Sequence, residues 1–158
     1  MTTAPEILAE LFGYLNSNCD YAVLRNFEGL PENNSSRDID IIIERSTYKK
    51  HKGDIIALLE KHDWKIITYL NSDRLVTWVC GCVDKRSNTE IIQLDFFFDT
   101  SLFGVQFIKA SEFLTHREFN GKIYHVDKNY EFLDKYMYDR AVGVQYPDKY
   151  RDVKEAVS

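Results

Sequence analysis

Arg37-Asp38-Ile39-Asp40-Ile41-Ile42-Ile43 reads as a buried strand with two acids at its mouth. Apolar, β-branched residues suit a pleated and enclosed surface, whereas Asp is depleted from strand interiors, so local propensity gives no reason for the pair. Side chains alternate along a strand, which places Asp38 and Asp40 on one face, a few ångströms apart. Carboxylates that close repel each other, and a shared proton or a divalent cation relieves the repulsion. The pattern favours a metal site. Ile91-Ile92-Gln93-Leu94-Asp95-Phe96-Phe97-Phe98 is a second apolar strand with one carboxylate in its middle. Paired beside the first, it lets Asp95 complete a triangle with Asp38 and Asp40. Hard oxygen ligands with open positions are what Mg²⁺ takes when it works on phosphates. Three acids can bridge two ions, which activate an attacking oxygen and steady a leaving one. The competing view is that these acids cap strand ends or pair with Arg25, Arg37 or lysines.

An apolar strand carrying Asp-x-Asp, followed by a later strand with a single Asp, resembles the nucleotidyltransferase superfamily typified by DNA polymerase beta. Small bacterial antibiotic-modifying and toxin-antitoxin nucleotidyltransferases belong to it. The order of elements agrees over residues 5–100: a first helix, a strand at Tyr21 to Leu24, the acid strand, a helix, then further strands. The resemblance implies that Asp38, Asp40 and Asp95 are at once catalytic residues and ligands of Mg²⁺, with two ions possible. Asp40 and Asp95 would favour deprotonation of the acceptor oxygen, and Asp38 with Asp40 would hold the nucleotide's ion. The implied partners are a nucleoside triphosphate and a small-molecule or protein acceptor whose hydroxyl receives the nucleotidyl group.

The chain departs from the family at one point. A Gly-Ser pair usually follows the first strand and opens a helix whose amides cradle the phosphates. Here Leu24-Arg25-Asn26-Phe27-Glu28-Gly29-Leu30-Pro31-Glu32 stands there, and no Gly-Ser occurs in the sequence. Residues 26–36 have turn chemistry instead. Arg25 could supply charge to a phosphate, or pair with Glu28 or with the acids. Ser35 and Ser36 could offer hydroxyls beside the acids, and Arg25, Ser36 and Arg37 form the expected nucleotide-binding set. The Leu-Arg-Asn-Phe-Glu-Gly-Leu-Pro run before Asp-Ile-Asp also resembles divergent bacterial nucleotidyltransferase-like domains. The alternative is therefore a catalytically silent binding or regulatory module of a larger protein. A metal-dependent nuclease fares worse, because no Lys closely follows the acids.

The chain has 158 residues, enough for one domain with a full core. Its net charge of −5 argues against a long nucleic-acid duplex as partner, since phosphate backbones are held by Lys and Arg clusters. Lys49-Lys50-His51-Lys52 is the longest basic stretch and reads as a solvated helix face. Cys19, Cys80 and Cys82 do not make a disulfide framework, and no second Cys or His pair completes a zinc site. The N-terminus lacks a positive region followed by an apolar core, and no apolar run approaches membrane-spanning length, so a cytoplasmic location without membrane contact is expected.

The fold class expected is α/β (α+β): a mixed sheet of about five strands with helices on one side. Helices are predicted over Pro5–Asn18 and, capped by Ser46, to His62. Strands are predicted over Tyr21–Arg25, Arg37–Glu44, Trp64–Leu70, Arg74–Val83 and Thr89–Phe98, with a polar turn over Asp84–Asn88. Residues 1–110 form the core, nucleotidyltransferase-like by the resemblance. Residues 111–158 extend the same domain, with a short helical turn at Ser111–His116 and a hairpin across Asn120-Gly121. Helices over Asn129–Gly143, with Phe132, Leu133, Tyr136, Met137 and Arg140 at helical intervals, and Asp148–Val157 complete it. The last residues are still in helical pattern, consistent with the front domain of a longer protein. Asp99 joins the site only if its strand continues, and Glu90 lies on the face opposite Asp95. His51, His62, His116 and His125 have no triad or zinc spacing.

Overall fold

The computed structural model describes residues 2–36, 38–83, 89–102, 105–141 and 143. The chain opens with α1 (Ala4–Asn18), whose Ile7, Leu8, Leu11, Phe12 and Leu15 form one buried stripe. Glu6 reaches back to the Thr3 amide at 2.8 Å, satisfying a donor that the first turn leaves open. Next come β1 (Tyr21–Val23), β2 (Asp38–Ile43), α2 (Arg45–Lys61), β3 (Lys65–Asn71), β4 (Leu75–Val83) and β5 (Thr89–Phe97). After them follow β6 (Asp99–Leu102), β7 (Val105–Lys109), α3 (Ala110–Thr115), β8 (Arg117–Phe119), β9 (Tyr124–Val126) and α4 (Lys128–Ala141).

Among the described residues, seven strands form a mixed sheet in the order β3-β4-β5-β2-β1-β9-β8, and β6 and β7 form a separate ribbon. The expected mixed α/β sheet is present. It exceeds five strands because the hairpin across Asn120-Gly121 joins it, with Val23 of β1 registered in parallel against His125 of β9. Gly121 takes φ 94°, the left-handed conformation such a tight turn needs. The two acid-bearing strands lie side by side and parallel, which registers Asp40 against Asp95 and Asp38 against Gln93.

Helices cover both faces rather than one. Ile39, Ile41 and Ile43 share a core with the buried residues of α1 and α2, and with Trp64, Trp78 and Phe96. On the opposite face Ala22, Leu24 and Ile42 pack with Ile108 of β7 and with Ala110 and Phe113 of α3. An all-isoleucine stretch is enclosed on both sides, and that is why β2 lacks polar alternation beyond its mouth. Ser46 does not cap α2. Glu44 holds the N-cap position and Ser46 lies inside the first turn. In α4 the burial also differs from the apolar spacing. Leu133 is exposed, whereas Glu131 and Lys135 are buried as an ion pair with N–O 2.5 Å. One helical turn separates the two, so their charges meet on the inward face. The expected turn at Asp84–Asn88 and helix at Asp148–Val157 fall outside the described residues.

Candidate metal centre

The parallel register of β2 and β5 converts two separate sequence patterns into one cluster. Asp38, Asp40 and Asp95 each offer a carboxylate oxygen within 4.8 Å of the others. They share the face that also carries Ile42 and Phe97, and β4 adds Thr77 directly opposite Asp95. Asp38 is half-buried at the start of its strand, while Asp40 and Asp95 are 2% and 6% exposed. Three close carboxylates of this kind could hold a metal ion.

Each acid is held by a neighbour. Thr77 Oγ1 donates to Asp95 Oδ1 at 2.5 Å, and Gln93 Nε2 donates to Asp95 Oδ2 at 3.0 Å. Ser36 Oγ donates to Asp38 Oδ1 at 2.8 Å. Arg25 Nε donates to Asp40 Oδ2 at 2.5 Å, so Arg25 does pair with the acid cluster. Glu28 pairs with Lys128 instead. The other oxygen, Asp40 Oδ1, is buried and accepts no hydrogen bond from a described residue. A buried oxygen in that state carries a cost that a donor or cation would offset. Burial pushes the Asp40 carboxyl above its ordinary range, Arg25 pulls it down, and Asp38 and Asp95 add to the upward push. The donor set is all-oxygen and hard, and Asp40 Oδ1 accepts no hydrogen bond from a described residue, so these residues fit a hard divalent cation.

Arg25 also lines a partly open cavity of about 180 Å³, together with Leu24, Arg74, Phe97, Phe107 and Asp134. Arg74 donates to the carbonyl of Ser101. Asp134 faces this space from α4, and burial pushes its carboxyl up to about 6, with Arg25 opposing the rise and Asp40 adding to it. On the other side of the acids, Ser36 and Gln93 border an open cleft of about 580 Å³ that extends between α1 and the loop before β2. The cleft exists because β5 runs back to Thr89 while β2 begins only at Asp38.

Of the residues expected at the site, Asp38, Asp40, Asp95, Arg25 and Ser36 come together. Arg37 falls outside the described residues, and Ser35 is exposed. Asp99 does not join the triad, because the chain bends at Phe98 and Asp99 starts β6, where Gln106 donates to it at 3.2 Å. Glu90 is bound elsewhere, accepting from the Ala4 amide at 2.5 Å. The histidines are spent on local contacts, such as His125 stacked on Phe27 at 4.1 Å and His51 bonded to Tyr14 at 2.9 Å. Sequence reading missed Thr77, Gln93, Arg74 and Asp134. The first two follow from strand register. Asp134 had no signal, because α4 was read for its apolar spacing. Among the described residues no helix is long and apolar enough to cross a membrane. No family model matches the chain, and no curated protein is significantly similar to it.

Proposed function

We propose that the chain is a Mg²⁺-dependent nucleotidyltransferase that moves a nucleotidyl group from a nucleoside triphosphate to a hydroxyl of a small molecule or protein. The observation that carries this reading is the carboxylate triad, with its buried and unpartnered Asp40 oxygen. Asp38, Asp40 and Asp95 would hold the metal, which when bound polarises the phosphate and neutralises charge on it. Ser36, Thr77 and Gln93 fix the orientation of the acids, as outer partners of metal ligands do. Arg25 stands where its guanidinium can take up phosphate charge as it loosens from Asp40. Asp40 and Asp95 would favour deprotonation of the acceptor hydroxyl, whose proton passes to water. The hydroxyl oxygen then bonds to the α-phosphorus while the bond to the bridging oxygen breaks and pyrophosphate leaves. The open cleft beside Ser36 and Gln93 is the side from which an acceptor approaches.

Two observations favour a second reading, a catalytically silent binding or regulatory module. Residues 24–36 form turns and no helix, so no helix N-terminus offers its amides to phosphate between β1 and β2. Arg25 also neutralises Asp40 without any metal. Calorimetric titration with each of the four nucleoside triphosphates, with and without Mg²⁺, separates the two. Binding that requires Mg²⁺ supports the transferase. Binding of neither ion nor nucleotide leaves the silent module.

A further inference from the structure

β3 closes one end of the seven-stranded sheet and, among the described residues, pairs only with β4, so one row of its main-chain N–H and C=O groups has no strand beside it. Such a row is a template for another strand, and sheet edges are ordinarily shortened, charged or covered to prevent pairing. The opposite edge follows that rule, because β8 has three residues and begins with Arg117. β3 does not. It runs for seven residues with one charge, Lys65 at its start, and six of the seven are exposed.

Side chains add an apolar surface to this edge. The register shift between Ile66 and Thr68 inserts an extra residue into β3 and turns Ile67 to the face on which its tip lies over Gly81. Leu70 is registered against Thr77, which shares that face with Gly81, and Gly81 is registered against Ile91. Ile67, Leu70 and Ile91 thus lie on one face of the sheet, and they are 62%, 61% and 60% exposed.

The charges around the edge fit a second copy of the same edge. Lys65 begins the strand and Asp73 follows its end, both exposed, and neither forms a salt bridge among the described residues. On the α2 side, Lys52 stands 5.8 Å over the ring of Tyr69, toward the strand's end. Glu60 lies at the strand's start, where it lines a cleft of about 240 Å³ with Ile56, Trp64, Lys65 and Ile66. A two-fold axis through the middle of β3 runs two such strands antiparallel and exchanges their ends. Lys65 of one copy then meets residues 71–73 of the other, with Asp73 among them. Lys52 and Tyr69 meet the other copy's Glu60 and cleft, and Ile67 and Leu70 lie beside Leu70 and Ile67. Each of these contacts occurs twice.

We propose that the β3 edge is a self-association surface, at which two copies of the chain pair antiparallel and join their sheets into one. It stands apart from the nucleotidyl-transfer reading, since β3 carries none of the site residues. A strand edge with one helix flank makes a small interface, below about 1,200 Å² in total, so association on the order of micromolar is expected.

Sedimentation velocity over a concentration series measures the association of the full chain as wild type, Lys65→Glu, Asp73→Lys, the two combined, and Leu70→Lys. Wild type is expected to pass from monomer to dimer with no larger species. Each single charge reversal is expected to weaken the dimer at least about fivefold, and the combined variant to return to within about twofold of wild type. Leu70→Lys, which puts a charge into the apolar part of the edge, is expected to abolish the dimer. Lys65 and Asp73 of one chain stand at opposite ends of a seven-residue strand about 23 Å long, so restoration can arise only between chains. All three positions are exposed, and circular dichroism confirms that the variants fold. A monomer at every concentration, growth beyond the dimer, a dimer that persists in folded Leu70→Lys, or a combined variant no tighter than the single ones overturns the proposal.

Discussion

Replacing Arg25 with methionine should destabilise the metal-free protein in a pH-dependent way. Asp40 is 2% exposed, receives Arg25 Nε at 2.5 Å on one oxygen, and on the other has no hydrogen-bond partner among the described residues. Asp38 and Asp95 stand within 4.8 Å and repel it. Removing one partner of a fully buried pair costs about 3–5 kcal/mol, because the remaining charge is stranded. The Arg25 side chain is 25% exposed, so water screens part of the loss and the lower end, about 3 kcal/mol at pH 7, is expected. The sign with pH follows from Asp40. Burial raises its folded pKa above the ordinary value, and losing Arg25 raises it further. A raised carboxyl favours the folded state while protonated, below its unfolded value, and loses that advantage as pH rises through the folded value. The gap between variant and wild type should therefore be widest at neutral pH and close as pH falls toward 4. Urea denaturation in EDTA at pH 7 and at pH 4.5 reads it directly. For a chain of this size the pH 7 loss corresponds to a fall of about 6–12 °C in Tm. A variant as stable as wild type at pH 7, or an equal loss at both pH values, refutes the reasoning.

Thr77→Val removes the 2.5 Å hydrogen bond to Asp95 at constant shape, and should weaken divalent-cation binding about tenfold while leaving the melting temperature in EDTA within a few degrees. Asp134→Asn should stabilise the ligand-free protein at pH 7 by up to about 3 kcal/mol, since a carboxyl raised to about 6 penalises its charged form. That gain should vanish in denaturation curves below pH 4, and a gain independent of pH would contradict the assignment. Gly29→Ala places a Cβ 2.5 Å from the Asn33 carbonyl oxygen, which is backbone, so a loss of about 1–3 kcal/mol is expected in urea melts. Gly81→Ala crowds chiefly the tip of Ile67, which is exposed, while the Glu90 carbonyl oxygen at 3.4 Å is in ordinary contact, and should cost less than about 1 kcal/mol in urea melts.

The acid triad was legible because two short periodicities determine it. Alternation along β2 places Asp38 and Asp40 on one face, and an apolar strand with one carboxylate supplies the third ligand once the two strands are neighbours. Alternation does not say which strands are neighbours. The parallel pairing of β2 with β5, which brings Asp95 level with Asp40, is a long-range fact set by packing. Thr77 and Gln93 become visible as partners of Asp95 only through that register. The charged stripe of α4 was illegible for another reason. Apolar spacing pointed at Leu133, while Glu131 and Lys135 neutralise each other and so can be buried at a cost no periodicity scan weighs. The ribbon of β6 and β7 was missed because the predicted strand ends at Phe98 and residues 99–110 carry no periodic pattern assigned to an element.

The most direct test is to count bound Mn²⁺ by electron paramagnetic resonance across a titration of wild type, Asp40→Asn and Asp95→Asn. If Asp38, Asp40 and Asp95 form a metal centre, wild type binds one or two ions saturably, Mg²⁺ displaces them, and both substitutions weaken binding at least tenfold. Failure of wild type to bind saturably, or binding unchanged in both folded variants, contradicts a metal centre at these carboxylates.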